Sequence, residues 1–416
     1  MPRASRRVPC PCGRLRRVSA LTWTALVSLG AWLWLLLCQG FFWRTDVRLP
    51  PRPRPPREPE SWPSVAVVVP ARDEARVLPL SLPTLLAQDY PGHAEVFLVD
   101  DGSTDGTGAL ARRLAESHPD RPDGPDGPEH GPPHALPLTV DTPGDPEPGW
   151  TGKLWAVRHG IALARARSDP AFLLLTDADI AHGPDSLRRL VSAALTHRLD
   201  LVSQMARLRV HSPWERLIVP AFVYFFAQLY PFRRVNSPDS RTAAAAGGCV
   251  LLRTETAIRA RVPESIRHAV IDDVTLARAV KRAGGGRIWL GLADGVESVR
   301  PYEGLSELWR MVARSAYAQL RHNPALLLGT VAGLVLLYAV PPVAALSGSL
   351  AGAAAWAVMA GTYVPMLRYY RQPLLLAPTL PFTAALYALM TLDSAWQHYQ
   401  GRGAAWKGRT YTKDAR

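Results

Sequence analysis

The chain has 416 residues, 48% hydrophobic and 20% charged, with 48 Lys and Arg against 35 Asp and Glu and a formal charge of +13. That length admits one large or two ordinary soluble domains, but several stretches are too apolar for either. The positive excess sits beside those stretches and no basic groove is interleaved with aromatics, so the charge argues for anionic lipid and against nucleic acid. Cys10, Cys12, Cys38 and Cys249 have neither metal nor disulfide spacing.

In chain order, residues 1–20 form a basic tail with six arginines, followed by Leu21 to Trp43 without an acid or base. That run is long enough to cross a hydrocarbon core of about 30 Å. Its length, its tryptophans and the lack of a small-residue cleavage pattern favour a retained anchor over a signal peptide. Residues 44–63, rich in Pro and Arg, read as an extended tether, and 64–300 as an α/β domain. Val65 to Val69, Glu95 to Val99 and Ala171 to Thr176 read as buried parallel strands, with helices over 75–88, 105–117 and 151–168. Residues 118–134 carry six prolines and three glycines, so they form a loop in which His130 and His134 are polar filler. A strand-like run, Ala135 to Val140, follows. Leu217 to Phe232 reads equally as a buried or an interfacial helix, with Arg233 and Arg234 suited to phospholipid headgroups or to solvation of the helix end.

Residues 301–322 form a membrane-proximal amphipathic region. Pro324 to Leu367 is uncharged for 44 residues and fits two spans joined near Pro341-Pro342 or Gly348; a last span fits Gln372 to Leu392, giving about three over 323–393. The tail 394–416 is basic. Arginines flank the first span on both sides, so the positive-inside rule gives only a weak vote on orientation, and Arg402, Lys407 and Arg409 sit awkwardly with a fourth crossing.

The acidic clusters carry the chemistry. Polar groups at the carboxyl ends of strands in an open α/β sheet are where such sheets bind ligands. Pro70, Arg72 and Glu74 follow the first strand, and Asp100 and Asp101 follow the second, where side chains or turn amides contact a base and ribose; Gly102 eases the turn, and Ser103 or Asp105 caps the next helix. Asp177 and Asp179, as Asp-Ala-Asp after a strand, present hard oxygen ligands suited to Mg²⁺ or Mn²⁺ shared with a diphosphate. Lys153, after Gly152 at a helix start, reaches phosphate without forming a P-loop. Asp272 and Asp273 precede a helix over Val274 to Arg282; they either favour its dipole or supply a general base, with Asp273 the candidate and Asp272 its orienting partner.

The ordered series Val-Val-Val-Pro-Ala-Arg-Asp-Glu (67–74), Val-Asp-Asp-Gly-Ser-Thr-Asp-Gly-Thr (99–107), Thr-Asp-Ala-Asp-Ile (176–180), Ala-Gly-Gly-Cys-Val-Leu-Leu (246–252) and Ile-Asp-Asp-Val-Thr-Leu-Ala (271–277) resembles glycosyltransferase family 2, and more closely its membrane-bound hopanoid-associated members. The likeness runs from about Ser64 to Arg321 and extends to Trp406-Lys407-Gly408-Arg409-Thr410-Tyr411. It implies a GT-A catalytic domain, with Pro70, Glu74 and Asp101 at the nucleotide, Asp179 on the metal, Gly247 and Gly248 close to donor sugar or acceptor, and Asp273 as base. Processive members carry Gln-x-x-Arg-Trp, where this chain has Glu307-Leu308-Trp309-Arg310-Met311 and then Arg314. That departure favours addition of one sugar to one lipid, with Arg310 and Arg314 as candidate diphosphate clamps. The resemblance therefore implies inverting, metal-dependent transfer from a nucleotide sugar to an isoprenoid lipid such as a hopanoid. It places the protein in a bacterial inner membrane with its catalytic domain cytosolic. A polyprenyl-phosphate sugar synthase and a non-enzymatic sugar-nucleotide-binding scaffold are the alternatives.

Overall fold

The computed structural model describes residues 12–50, 59, 61–118, 135–284, 286–401, 405–406 and 409–410. The tail before Cys12, most of the Pro/Arg-rich tether, the loop beyond His118 with His130 and His134, and Arg402, Lys407, Gly408 and Tyr411 lie outside the described residues.

Eight strands form one sheet: β1 (Val65–Ala71), β2 (Ala94–Asp100), β3 (Leu138–Asp141), β4 (Phe172–Thr176), β5 (Ile180–His182), β6 (Leu201–Arg207), β7 (Cys249–Arg253) and β8 (Ile288–Ser298). Their order is β3-β2-β1-β4-β7-β6-β8-β5. β3, β2, β1 and β4 are parallel, as their apolar runs predict. The rest of the sheet is mixed, because β7 runs antiparallel to both β4 and β6. A strand buried on both faces carries the same continuous apolar run in either direction, so Cys249 to Leu252 could not reveal its sense. β1 tolerates Pro70 because its pairing with β4 ends at Val68, and the missing N–H costs no ladder bond on that side.

Fourteen helices complete the described chain: α1 (Cys12–Cys38), α2 (Leu78–Leu86), α3 (Thr107–Glu116), α4 (Gly152–Ser168), α5 (Ser186–Thr196), α6 (Pro213–Leu229), α7 (Phe232–Val235), α8 (Thr254–Arg259), α9 (Asp272–Arg282), α10 (Leu305–Gln319), α11 (Pro324–Leu334), α12 (Val340–Leu346), α13 (Leu350–Tyr369) and α14 (Leu380–Tyr399). Side chains alternate across β1: Val65, Val67 and Val69 pack with α2, α3 and α5, whereas Ala66 and Val68 pack with α4 and α9. Gly160 lets α4 cross the sheet closely, since a Cβ there would lie 2.6 Å from Val68. The core on this second side continues without a break into Trp32 of α1, Tyr338 and Met359 of α13.

Among the described residues, four helical stretches are long and apolar enough to cross a membrane: Ala20–Cys38, Pro324–Leu346, Leu350–Tyr369 and Leu374–Tyr399. The second and third turn at Ser347-Gly348-Ser349, where Gly348 has φ +87; Pro341-Pro342 stays inside the helical stretch, just after a π-helical segment, Val335–Ala339. Proline removes N–H donors and crowds the preceding turn, and a widened turn accommodates both effects. α6 starts with a capping box of Ser212 and Glu215. It buries Ile218, Val219, Val223 and Tyr224 against α13 and its neighbours, so the buried alternative describes most of it. Arg233 pairs with Asp46 at 2.6 Å and Arg234 donates to the Cys38 carbonyl at 2.7 Å, tying α7 to the end of α1.

Candidate active site

The carboxyl ends of β1 and β4 lie where the strand order reverses, the place where open α/β sheets form a ligand crevice. A cleft of about 660 Å³ opens there, lined by Pro70, Glu74, Lys153, Asp177, Asp179, Asp272, Arg300 and Tyr302. It continues past Glu307, Arg310, Met311 and Arg314 of α10 to His322 and to Ser394, Gln397 and His398 at the end of α14.

Two cations organise its acidic lining. Lys153 stands in the first turn of α4, whose start is capped by Thr151. Its Nζ lies 2.8 Å from Asp177 Oδ1 and 3.0 Å from Asp272 Oδ2. Burial opposes its charge, but the two carboxylates outweigh burial and raise its pKa. Arg300, just after β8, spans Glu74 and Asp179, with 2.8 Å contacts to each. Its charge is reinforced against burial in the same way. Arg300 carries no motif in the sequence and was not foreseen; only the path of β8 brings it 226 residues back to Glu74.

Asp177 is pushed up by burial and by repulsion from Asp179, with Lys153 opposing. Asp179 Oδ2 also accepts from Ser298 Oγ at 3.1 Å. Each carboxylate thus commits one oxygen to a cation. Among the described residues no group of three His, Cys, Asp or Glu side chains is placed to hold a metal ion by itself. The donor set fits a hard divalent ion only as a shared one, held by Asp177 and Asp179 and completed by oxygens of a bound diphosphate.

The helix α9 begins at Asp272, one turn-start earlier than Val274, so both acids lie in its first turn, where the helix dipole favours them. Asp272 faces the large cleft, while Asp273 lines a small annexe beside it with Gly247. Asp273 accepts from Gly247 N at 3.0 Å and Val274 N at 2.7 Å. Burial, and then the Asp272 charge, push its pKa up to about 6. A side chain at Gly247 would meet Asp273 and Lys153 at 3.5 and 3.6 Å. The Gly248 carbonyl accepts from Thr176 Oγ1, which in turn receives His182 Nε2. Burial lowers the His182 pKa to about 4, leaving the ring neutral; this buttress beneath the Asp-Ala-Asp segment also escaped sequence reading.

The Asp-rich turn after β2 does different work. Asp100 accepts from Ser103 N at 2.9 Å and Gly108 N at 3.1 Å. The amides of Asp73, Glu74 and Ala75 donate to Ser103 Oγ, Thr107 Oγ1 and Asp105 Oδ2, lacing the loop after β1 to this turn. The N-cap position falls on Gly106, but Asp105 does cap the helix start, its Oδ1 accepting from Thr107 N at 3.0 Å; Ser103 does not. Asp101 is buried, with Oδ2 3.6 Å from Arg72 Nη1, and Arg72 also donates to the Asp101 carbonyl.

Residues 66–123 match the family Glycosyl transferase family 2. Part of that match is the laced pair of loops after β1 and β2. The chain is 30% identical over 164 residues to a polyprenol monophosphomannose synthase from Mycolicibacterium smegmatis, covering 37% of this chain and 50% of that protein. It is 29% identical over 123 residues to a beta-monoglucosyldiacylglycerol synthase from Synechocystis sp., covering 26% of each. The chain therefore spans half or less of these curated relatives. A solved mannosyltransferase from Pyrobaculum calidifontis, in complex with GDP-Man and Mn²⁺, superposes with a TM-score of 0.53 at 21% identity, covering 91% of this chain and 99% of that one. At that identity the likeness establishes the fold, a GT-A-type α/β domain joined to apolar helices.

Proposed function

We propose that this protein transfers a hexosyl or related sugar from a nucleoside diphosphate donor to the hydroxyl of a membrane isoprenoid lipid, a hopanoid in particular. One sugar is added per acceptor, with inversion, at the cytosolic face of a bacterial inner membrane. The observation that carries this reading is the continuity of the cleft, whose acidic and cationic end opens directly onto α10 and the last apolar helix.

Pro70, Arg72, Glu74 and Asp101 face the nucleotide, and Asp100 orders the turn that presents Asp101. Lys153, Arg310 and Arg314 meet the diphosphate. Asp177 and Asp179 hold Mg²⁺ or Mn²⁺, which when bound offsets charge on the departing nucleoside diphosphate. Gly247 and Gly248 admit donor sugar or acceptor close to the backbone. The acceptor oxygen bonds to the anomeric carbon as the bond to diphosphate breaks; its proton passes to Asp273, oriented by Asp272, and the electron pair leaves with the diphosphate. A base with pKa near 6 suits this task at neutral pH.

Purified protein in detergent, given radiolabelled nucleotide sugars and extracted lipids, tests the reading; labelled neutral isoprenoid lipid is expected. Asp179→Ala should remove Mg²⁺- or Mn²⁺-stimulated transfer from a protein that stays folded, and undiminished turnover in strict chelation would remove the metal from the reading. A polyprenyl phosphate acceptor is the second reading. It is favoured by Arg310 and Arg314, which have no ion-pair partner among the described residues, and by the name of the mycobacterial relative. A phosphate acceptor is already anionic, so Asp273→Asn would keep its activity with that substrate.

A further inference from the structure

The chain is tied to the catalytic side just before the last apolar segment, at Tyr369, and again at that segment's end, at Tyr399. At the first, the Tyr369 carbonyl accepts from Arg207 Nη2 at 3.0 Å and the Tyr369 hydroxyl donates to the Ala293 carbonyl of β8. At the other, Tyr399 OH lies 2.9 Å from Tyr317 OH, and Ser394 Oγ accepts from Tyr317 N at 3.1 Å, both on α10. Between them, Trp356 Nε1 of α13 donates to the Pro378 carbonyl at 3.1 Å. Trp356 lies thirteen residues before Tyr369, about 20 Å along a helix rising ~1.5 Å per residue. The chain therefore leaves the catalytic side after Tyr370, descends beside α13 to Pro378, and returns along α14. A segment long enough to cross thus turns back at Pro378, and its end at Tyr399 lies on the same side as Tyr369.

α14 carries one acidic residue, Asp393, between Leu392 and Ser394. A carboxylate on such a helix needs donors to offset its lost hydration. Asp393 Oδ2 accepts from Trp309 Nε1 at 2.8 Å and from Gln397 Nε2 at 2.7 Å. Trp309 belongs to α10, beside Arg310. Arg310 has only a 3.3 Å bond to the Ser306 carbonyl on its own helix, and Arg314 has no ion pair among the described residues. Where these two guanidinium groups stand is therefore set by where α10 stands.

We propose that Asp393 is a positioning residue: carried on a hairpin that enters the apolar layer and returns to the same face, it holds α10 through Trp309 and so sets Arg310 and Arg314 against the donor. The proposal rests on the reading that these arginines meet the donor diphosphate.

Two measurements test it. Without any need for activity, cysteines introduced one at a time at Gln372 and Gln400, in a chain that lacks Cys10, Cys12 and Cys38 and keeps only the buried Cys249, should label from one face of the membrane, and a cysteine at Ser347 from the other. Labelling of 372 and 400 from opposite faces would overturn the hairpin. In transfer assays, Asp393→Leu and Trp309→Phe should each lower kcat/KM about tenfold or more, roughly 1.4 kcal/mol, with a raised donor KM. Asp393→Asn should retain most activity, since its amide oxygen still accepts both N–H groups. In an Arg310→Ala/Arg314→Ala chain, Asp393→Leu should add less than about twofold. Full multiplication of the two losses would overturn the positioning role. Silence of both Arg310→Ala and Arg314→Ala would instead sink the diphosphate reading, a separate result.

Discussion

In the turn after β2, Asp100 and Asp105 give their oxygens largely to backbone amides, most of them within eight residues. In the cleft, Glu74, Asp177, Asp179 and Asp272 give theirs to Lys153 and Arg300, which arrive from other elements. Similar acidic density thus serves two ends. The turn uses carboxylates as fixed acceptors that shape a loop, and its charge is spread over peptide dipoles. The cleft holds charge in reserve, balanced pair by pair, so that a diphosphate and a cation can enter and redistribute it. Removing one partner should therefore hurt far more in the cleft than in the turn.

The largest effect is expected at Arg300. The Glu74 and Asp179 side chains are only 9% and 13% exposed, and Arg300→Ala leaves both without their shared cation. Breaking a buried pair from one side costs about 3–5 kcal/mol, read as a lowered thermal midpoint in detergent together with loss of transfer. Arg300→Lys should recover little, because a compact ammonium cannot reproduce the planar fork that spans two carboxylates. An unchanged midpoint for Arg300→Ala would place the charge balance of the cleft elsewhere.

Asp273→Asn comes next, with transfer lowered at least about 10²-fold, a barrier rise of roughly 2.7 kcal/mol, and donor binding kept. Its pH dependence gives an independent check. The base works deprotonated, so transfer should fall as pH drops through about 6, and the Asn variant should lack that limb. The stability linkage has the opposite sense. The folded chain keeps a proton that the unfolded chain releases near the ordinary Asp value of ~3.9. The stabilisation from this group is therefore full below about pH 4 and is lost as pH rises through about 6. A normal rate for Asp273→Asn beside an inactive Asp272→Asn would move the base to the carboxylate that faces the large cleft.

The same contrast explains what the sequence disclosed. β1, β2 and β4 were legible because apolar runs ending in acids are local signals, and Asp177, Asp179, Asp272 and Lys153 do meet in one cleft. The direction of β7 was not legible, since full burial erases the alternation that separates one side of a strand from the other. Arg300 was hidden because its role depends on a strand pairing far along the chain, and an isolated arginine after a strand has no periodicity or spacing to mark it. The last apolar segment reads as a span from its length and composition, and the structure keeps that length; neither property records which side a helix end faces, whereas the contacts of Tyr369 with β8 and of Tyr399 with α10 depend on residues far away in the chain.

The smallest effect is expected at Asp100, and it tests the turn side of the comparison. An asparagine keeps one carbonyl oxygen, for Ser103 N or for Gly108 N, and turns an NH₂ group toward the other donor. One backbone bond is lost in a partly solvated turn, a cost of about 1 kcal/mol. Space offers no relief: a Cβ at Gly108 would already lie 2.5 Å from Asp100 Oδ2, so the carboxylate fits tightly against the start of α3. Asp100→Asn should therefore lower the thermal midpoint modestly while donor KM and transfer per folded molecule stay within about twofold. Asp101→Asn, one residue on and buried beside Arg72, should instead raise donor KM, and it should lower the midpoint as well because Arg72 loses its buried anionic neighbour. A tenfold rise in donor KM for Asp100→Asn would show that this carboxylate, like Asp101, reaches the nucleotide itself, and the shaping of the turn would then fall to Asp105 and its backbone partners.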